Sequence, residues 1–205
     1  MATTAKTGVE QLLVAARRGD KAALGDLLEG HSPYLTLLAK IQLGRRLQGK
    51  VDPSDVVQEA FLDAHRQFPI FRGESEREFV VWLRQILLGR VLNVVRRYVG
   101  AKGRDVRLER NLADEMEHSS RMLECGLAAP NSTPSQAAAR SEQAVRVAEA
   151  IASLPEHYRD VIVLRHIEER PFAEVAERMS RSIDSVEKLW VRALAKLRQT
   201  LGDEA

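Results

Sequence analysis

Apolar side chains recur along most of the chain at the spacing of one face of an α-helix. The strongest pattern in the first half is one continuous stripe, formed by Phe79, Trp82, Leu83, Ile86, Leu87, Val91, Val94 and Tyr98. A second stripe lies near the end of the chain and is formed by Val186, Leu189, Trp190, Ala193, Leu194, Leu197 and Leu201. Because residues three and four positions apart share a helix face, both stretches are predicted to be amphipathic helices.

Short-range signals mark where further helices begin and end. Gly19 favours a helix end and Asp20 can cap the next helix. Ser32-Pro33 and Asp52-Pro53 each combine a capping residue with proline at the first helical position. Pro69 predicts that the helix after Asp52 ends near residue 68, because the residue before a proline avoids helical geometry.

These signals predict an all-α protein with two helical domains joined by a linker. Residues 1–8 are expected to be a flexible N-terminus, and residues 9–100 to form an N-terminal helical bundle. Residues 101–140 are assigned to the linker, with at most one marginal helix, because their periodicity is weak. Residues 141–205 are expected to form a four-helix domain that contains a helix-turn-helix.

Composition supports this fold and excludes several classes of protein. Aromatic residues make up 5% of the 205 residues, and there are only 12 glycines and 7 prolines, which disfavours a β-sandwich or barrel. A single cysteine, Cys125, cannot form an internal disulfide or a cysteine-based zinc site. No apolar run reaches transmembrane length and Met1–Gly8 lacks the apolar core of a signal peptide, so we expect a cytoplasmic protein without membrane contact.

The net charge is only +2, but basic residues cluster in two places. Residues 90–110 contain seven basic and two acidic side chains, and residues 181–198 contain five basic and two acidic ones. Such clusters are either solvated helix faces or the electrostatic footprint of a nucleic-acid-binding surface.

The second cluster coincides with the pattern of a helix-turn-helix. A short helix with Phe172, Val175, Ala176 and Met179 on one face is followed by a tight turn and a longer helix. Opposite its apolar stripe, the longer helix presents Asp184, Ser185, Glu187, Lys188, Arg192 and Lys196. Such a helix fits the major groove of duplex DNA, although an ordinary helical hairpin would show the same spacing.

The first half of the chain contains two further candidate surfaces. The helix after Asp52 has a polar face, formed by Asp55, Gln58, Glu59, Asp63 and Arg66, that either docks a basic protein or is simply solvated. The loop 68–74 places three large apolar residues beside Arg72. They either contact unstacked bases of single-stranded DNA or fold onto the core.

Several of these motifs together resemble the extracytoplasmic-function (ECF) sigma factors, the small two-domain initiation subunits of bacterial RNA polymerase. Four motifs resemble the promoter-melting domain of that family: Asp52-Pro-Ser-Asp-Val-Val-Gln-Glu-Ala-Phe, Phe71-Arg-Gly-Glu, Trp82-Leu-Arg-Gln-Ile and Arg96-Arg97. Two further motifs resemble the second DNA-binding domain of the family: Leu154-Pro155 and Pro171-Phe-Ala-Glu-Val-Ala-Glu.

The resemblance implies three binding surfaces and no catalysis, metal or cofactor. The clamp coiled coil of core RNA polymerase would contact Asp52, Asp55, Val56, Gln58 and Glu59. The melted minus-10 element of the promoter would contact Phe71, Arg72, Gly73, Glu74, Trp82, Arg90, Asn93, Arg96 and Arg97. The minus-35 duplex would be read by Arg181 and Ser182 together with the six polar residues of the last helix. The polymerase flap is a further expected contact, and the resemblance allows for an anti-sigma factor.

The chain departs from the usual family pattern at a few of these positions. Leu87-Leu88-Gly89 stands where relatives usually carry Ala-Arg-Asn, and Asn93 stands in place of Asp. In the last helix, Glu187 and Leu189 replace basic residues and Arg181 replaces an apolar one. Glu187 is either a specificity residue, since glutamate can accept a hydrogen bond from cytosine N4, or a weaker phosphate contact.

Two other classes of function fit parts of the sequence less well. A helix-turn-helix regulator would bind operator DNA as a dimer without polymerase, but the chain lacks an evident dimerisation heptad. An enzyme is disfavoured because the five histidines lie in different segments without metal-ligand spacing, and Cys125 has no assigned base.

Overall fold

The computed structural model describes residues 8–47, 50–99, 106–125 and 136–203. Every regular element in these ranges is helical, which confirms the predicted all-α fold. The helices are α1 Gly8–Arg17, α2 Lys21–Gly30, α3 Ser32–Leu47, α4 Pro53–Gln67, α5 Glu76–Val99, α6 Val106–Cys125, α7 Gln136–Ser153, α8 Glu156–Ile162, α9 Phe172–Arg178 and α10 Ile183–Asp203. A 3-10 turn at Phe68–Ile70 follows α4, and a π-helical turn at Val163–Ile167 follows α8. The predicted flexible N-terminus lies outside the described residues except for Gly8, which begins α1.

Most of the predicted start and stop signals are found at the expected helix ends. Ser32 is the exception, because it is the first residue of α3 and the carbonyl of His31 accepts the first helical hydrogen bond, from Leu35 N. Gly19 has a φ of +94°, the left-handed conformation that glycine adopts without strain, and it closes α1. The Asp20 carboxylate accepts hydrogen bonds from the backbone N–H groups two and three residues later, at 2.9 and 3.1 Å. Asp52 caps α4 in the same way, through Ser54 N at 2.8 Å. Local capping therefore sets the boundaries of α1, α2 and α4.

The first half of the molecule is built around α3, α4 and α5, which pack against one another. Most of the predicted α5 stripe is buried, and the side chains of Phe79, Leu87 and Val91 are fully buried. Tyr98, at the end of the stripe, is instead 51% exposed. The stripe therefore supplies the core of this half except at its last turn.

Helix α6 contradicts the expectation of a largely unstructured linker. Its 20 residues form one continuous helix, with Leu112, Met116 and Leu123 buried. Residues 101–105 and 126–135, the remainder of the predicted linker up to α7, lie outside the described residues. The prediction underrated α6, because Leu108, Leu112, Met116 and Leu123 fall at i, i+4, i+8 and i+15, which is the spacing of one helix face.

Polar contacts attach α6 to the helices of the first half. Arg84 of α5 contacts Glu117 at 2.7 Å and donates to Ser120 Oγ. Ser120 Oγ also lies 2.9 Å from the hydroxyl of Tyr34, which is fully buried on α3. Burial raises the pKa of Tyr34, so the hydroxyl stays protonated at neutral pH. A further ion pair joins Arg46 to Glu115 at 2.8 Å.

The second half consists of α7 to α10 and shares a core with the first. Helix α7 packs against α6 and α10, and also against α3 and α5. Lys40 of α3 forms an ion pair with Asp160 of α8 at 2.9 Å, which links the two halves at the surface. The helices of the predicted C-terminal domain are present, but in this structure they do not form a separate body. The predicted boundaries between domains stay a prediction.

Candidate nucleic-acid interface

The loop between α4 and α5 is supported by an aromatic cluster beneath it. Phe71 is only 7% exposed, and its ring centroid lies 4.7 Å from that of Trp82 and 5.9 Å from that of Phe79. Gly73 passes so close to this ring that a Cβ atom there would lie 2.4 Å from Phe71 Cζ. Of the two expectations for this loop, Phe71 therefore follows the one in which the ring folds onto the core.

A capping box fixes the end of this loop at the start of α5. The Glu78 carboxylate accepts hydrogen bonds from Glu74 N at 2.8 Å, from Ser75 N at 3.1 Å and from Ser75 Oγ at 2.8 Å. These bonds, first that from Glu74 N, lower the pKa of Glu78. Arg17 of α1 donates to the Gly73 carbonyl. The loop is thus held from both sides, and it presents the side chains of Arg72 and Glu74 to solvent.

The basic residues that follow on α5 differ in their accessibility. Arg90 is paired with Asp63 and, at 3.3 Å, with Glu59, both on α4. Arg96 is paired with Glu109 of α6. Two predicted DNA contacts on this helix are exposed, Asn93 and Arg97. Of the expected minus-10 contacts on this helix, Asn93 and Arg97 are therefore free to meet a partner, whereas Arg90 and Arg96 are held in ion pairs.

The polar face of α4 is exposed, as its pattern predicts. Asp52, Asp55, Gln58 and Glu59 all have exposed side chains. Val56, which was grouped with them, is only 2% exposed and belongs to the core. Val56 can therefore position the neighbouring polar residues, but in this structure it does not present its side chain to a partner.

Helices α9 and α10 form a compact helix-turn-helix. Ser180 adopts a φ of +52° after α9, which allows Arg181 N to donate to Ala176 O at 2.9 Å. The predicted cap is confirmed, because Ser182 Oγ accepts from Ser185 N at 3.3 Å and so begins α10. The two helices pack through aromatic rings of Phe172 and Trp190, whose centroids lie 5.6 Å apart.

The outer face of α10 remains uncovered even though the two halves share a core. The apolar stripe faces inward, with Val186 and Ala193 at 0% exposure. Leu189, one of the departures from the family pattern, is 8% exposed and so belongs to this stripe. The exposed set on the opposite side comprises Arg181, Ser182, Asp184, Glu187, Lys188, Arg192 and Lys196, with Ser185 half-buried. This surface has the length and charge to lie in a major groove.

Comparisons with known proteins identify the family. The family model described as "Sigma-70 region 2" matches residues 32–100, and that described as "Sigma-70, region 4" matches residues 144–197. The ECF RNA polymerase sigma-E factor of Haemophilus influenzae is 30% identical over 185 residues, which cover 90% of both chains. This chain belongs to the ECF family of RNA polymerase sigma factors.

Other relatives of this sigma factor match over a similar share of the chain. The RNA polymerase sigma-H factor of Pseudomonas aeruginosa is 29% identical over 190 residues, which cover 90% of this chain and 89% of that protein. Among solved structures, CnrH in complex with the cytosolic domain of CnrY is similar at 25% identity and a TM-score of 0.36, over 97% of this chain and 100% of that one. The sigma-70 superfamily acts in transcription initiation, and the predicted family, bacterial origin and DNA-binding class are thereby confirmed.

The structure of this sigma factor brings some of the predicted site residues together. Phe71 and Trp82 share the aromatic cluster, which supports the loop. Glu59, expected to contact polymerase, is joined by an ion pair to Arg90, expected to contact DNA, so the two surfaces meet along α4 and α5. The α10 set lies elsewhere, on a helix that packs against α7, α8 and α9.

Sequence reasoning missed several residues that shape the first surface. Arg17 and Glu78 hold the loop through hydrogen bonds, and Glu109 forms an ion pair with Arg96. The Ser75-Glu76-Arg77-Glu78 sequence is a capping-box signature and could have indicated Glu78. Arg17 and Glu109 lie far from their partners in sequence, and no local pattern connects them.

Neither a candidate metal site nor a membrane-spanning helix is found in the parts of the chain that the structure describes. No group of three or more His, Cys, Asp or Glu side chains there is placed to hold a metal ion. None of the helices there is both long and apolar enough to cross a membrane.

Proposed function

We propose that this sigma factor directs promoter-specific initiation through three surfaces. The exposed face of α4 docks on core polymerase, the α4–α5 loop and α5 hold the melted minus-10 element, and α10 reads the minus-35 duplex. The observation that carries the proposal is the uncovered cationic face of α10, on which Lys188, Arg192 and Lys196 are exposed. Lysine and arginine neutralise phosphates, which supplies most of the affinity for duplex DNA.

The minus-10 part of the proposal assigns different tasks to the loop residues. Phe71 anchors the loop from below, because its ring is packed against Trp82 and Phe79. Arg72 and Glu74 lie at the exposed rim, where they can contact a displaced base. Arg97 is exposed near the far end of α5, about 30 Å along the helix from the loop, where it can contact the backbone of the same strand. Cations spaced along this length suit an unpaired strand, whose phosphates and base edges are both accessible.

Transcription with core polymerase tests the whole proposal. Core enzyme with this chain should initiate from cognate promoter fragments, and core enzyme alone should not. Base unpairing at the minus-10 element can be followed by 2-aminopurine fluorescence. It should decrease for Arg72→Ala and remain for Arg121→Ala, which removes an exposed arginine of α6 that belongs to none of the three surfaces. Binding of palindromic operator DNA by the chain alone, without any effect on polymerase, would instead support the helix-turn-helix regulator.

A capture experiment tests the docking face separately. Asp55→Ala combined with Glu59→Ala should reduce retention of the chain by immobilised core polymerase. Glu177→Ala, which removes an exposed carboxylate from α9, is the matched control and should leave capture unchanged. Equal capture of all variants would remove α4 from the proposal.

Regulation by a protein inhibitor, an anti-sigma factor, is a further part of the proposal. CnrH, a structural relative, is known in complex with the cytosolic domain of CnrY. We expect an inhibitor protein to co-purify with the chain from its own cells. Transcription should be lost when that protein is added to the holoenzyme.

A further inference from the structure

Two exposed apolar side chains on α10 are not explained by phosphate binding. Ile183 is 48% exposed and Val191 is 59% exposed, and both belong to the few large apolar residues that are exposed in the described part of the chain. Glu187, also exposed, lies four residues after the first and four before the second. Since residues four apart are neighbours on a helix surface, the three form one line, which we call the reading ridge.

A second line of side chains runs beside the reading ridge. It consists of Lys188, Arg192 and Lys196, which are all exposed, and we call it the cationic ridge. Each of its first two members directly follows a member of the reading ridge in sequence. When the cationic ridge contacts phosphates at the edge of a major groove, the reading ridge is turned towards the base edges.

The chemistry of the reading ridge selects particular bases. The apolar group of the major groove is the C5-methyl of thymine, which suits Ile183 and Val191. A carboxylate needs hydrogen-bond donors and is repelled by acceptors. Cytosine offers only its N4 amino group in the major groove, whereas adenine places its N7 acceptor beside N6. Glu187 therefore favours cytosine over adenine.

We propose that the reading ridge recognises thymine, cytosine and thymine in neighbouring base pairs of the upstream duplex. The spacing supports this order, because side chains three to four residues apart on a helix in the major groove contact successive base pairs. The inference rests on the proposed minus-35 function of α10, and it names the sequence chemistry that this helix recognises.

The test uses holoenzyme assembled from core polymerase and the full chain. Promoter duplexes with a randomised upstream element are selected for binding, and each thymine of the selected element is then replaced by uracil, which removes only the methyl group. We expect about fourfold weaker binding for each of two thymines, the effect of exposing one methyl-sized group. Val191→Ala should abolish the loss at one thymine, and Ile183→Ala should abolish it at the other.

Glu187→Ala provides an independent measurement on the same ridge. The preference for cytosine at the central position should fall about tenfold, the size of one lost base contact. Overall affinity should not fall, because the substitution also removes a negative charge near the phosphates. Lys196→Ala is the matched control: it should weaken thymine and uracil duplexes equally.

The outcomes separate this inference from the function on which it depends. If Lys196→Ala weakens binding but uracil has no effect at any position, the base assignment is overturned and the minus-35 function stands. If holoenzyme selects no upstream element and Lys196→Ala has no effect, the minus-35 function itself fails. If Ile183→Ala or Val191→Ala reduces capture by core polymerase instead, the ridge faces a protein and the inference is wrong.

Discussion

Two glycine-to-alanine substitutions should change stability in opposite directions. At Gly73, the added Cβ would lie 2.4 Å from Phe71 Cζ and 2.7 Å from Glu78 Cβ. Carbon atoms in contact normally lie about 3.5–4.0 Å apart, so the phenyl ring has to move by about 1 Å or the loop has to shift. The ring is confined by Trp82, and overpacking of this kind costs about 1–3 kcal/mol.

Gly89 is the matched control, because it lies in the middle of α5 and a Cβ there would meet no atom within 4 Å. Gly89→Ala should stabilise the protein by about 0.5–1 kcal/mol, since alanine loses less backbone entropy than glycine in a helix. Urea unfolding, followed by circular dichroism at 222 nm, measures both changes. The two midpoints should move to opposite sides of the wild-type value.

The reasoning also predicts a functional difference between the two variants. Gly73→Ala displaces the loop and should impair unpairing of the minus-10 element, whereas Gly89→Ala should have a smaller effect. If Gly73→Ala unfolds within about 0.5 kcal/mol of the wild type, the overlap with Phe71 is relieved at little cost and the loop is not rigid. That result would refute the account of the loop as a fixed support.

Three other predictions concern the capping box, α6 and salt. Glu78→Gln should destabilise the protein at pH 7 by less than about 1 kcal/mol, because the carboxylate is exposed. Since the pKa of Glu78 is lowered by folding, its contribution is present above the ordinary pKa and lost as pH falls through the folded value. The difference between the variants should therefore disappear under acidic conditions, as measured by urea unfolding at several pH values. Arg84→Met should cost about 1–3 kcal/mol and increase amide hydrogen exchange in α6, because it leaves Glu117 and Ser120 without their shared donor; unchanged exchange would show that apolar packing alone holds α6. Promoter binding by the holoenzyme should weaken steeply with salt, and Arg192→Ala should reduce the slope of log K against log salt by about 0.9 if this arginine contacts a phosphate.

Helix boundaries and buried faces were predictable because they depend on local chemistry. Asp20 and Asp52 were recognised as caps from their own residue type and position, and both make the expected hydrogen bonds. The stripe that begins at Phe79 repeats for several turns, so its inward face could be assigned without knowing what it packs against. The exposed face of α10 followed in the same way from the stripe opposite it.

The contacts that the sequence did not predict depend on residues distant along the chain. Helix α6 is fixed by Arg84 and by the buried hydroxyl of Tyr34, which lies 86 residues before its partner Ser120. No local pattern reports such a pair. The orientation of Phe71 was also undecided, because an aromatic residue beside a cation suits a core edge and a base-binding loop equally well.

The position of α7 against α3 and α5 sets a limit on what the closed molecule can reach. A compact chain of this length has a radius of gyration of about 17 Å, whereas promoter elements about 25 base pairs apart are separated by roughly 85 Å of duplex. A single compact molecule is too small to contact both elements, so under the proposed function the contacts that join the two halves have to open before both DNA surfaces can act on one promoter. The closed state then competes with the promoter: each 1.4 kcal/mol that favours closure lowers the apparent affinity tenfold, without any change in the residues that contact DNA.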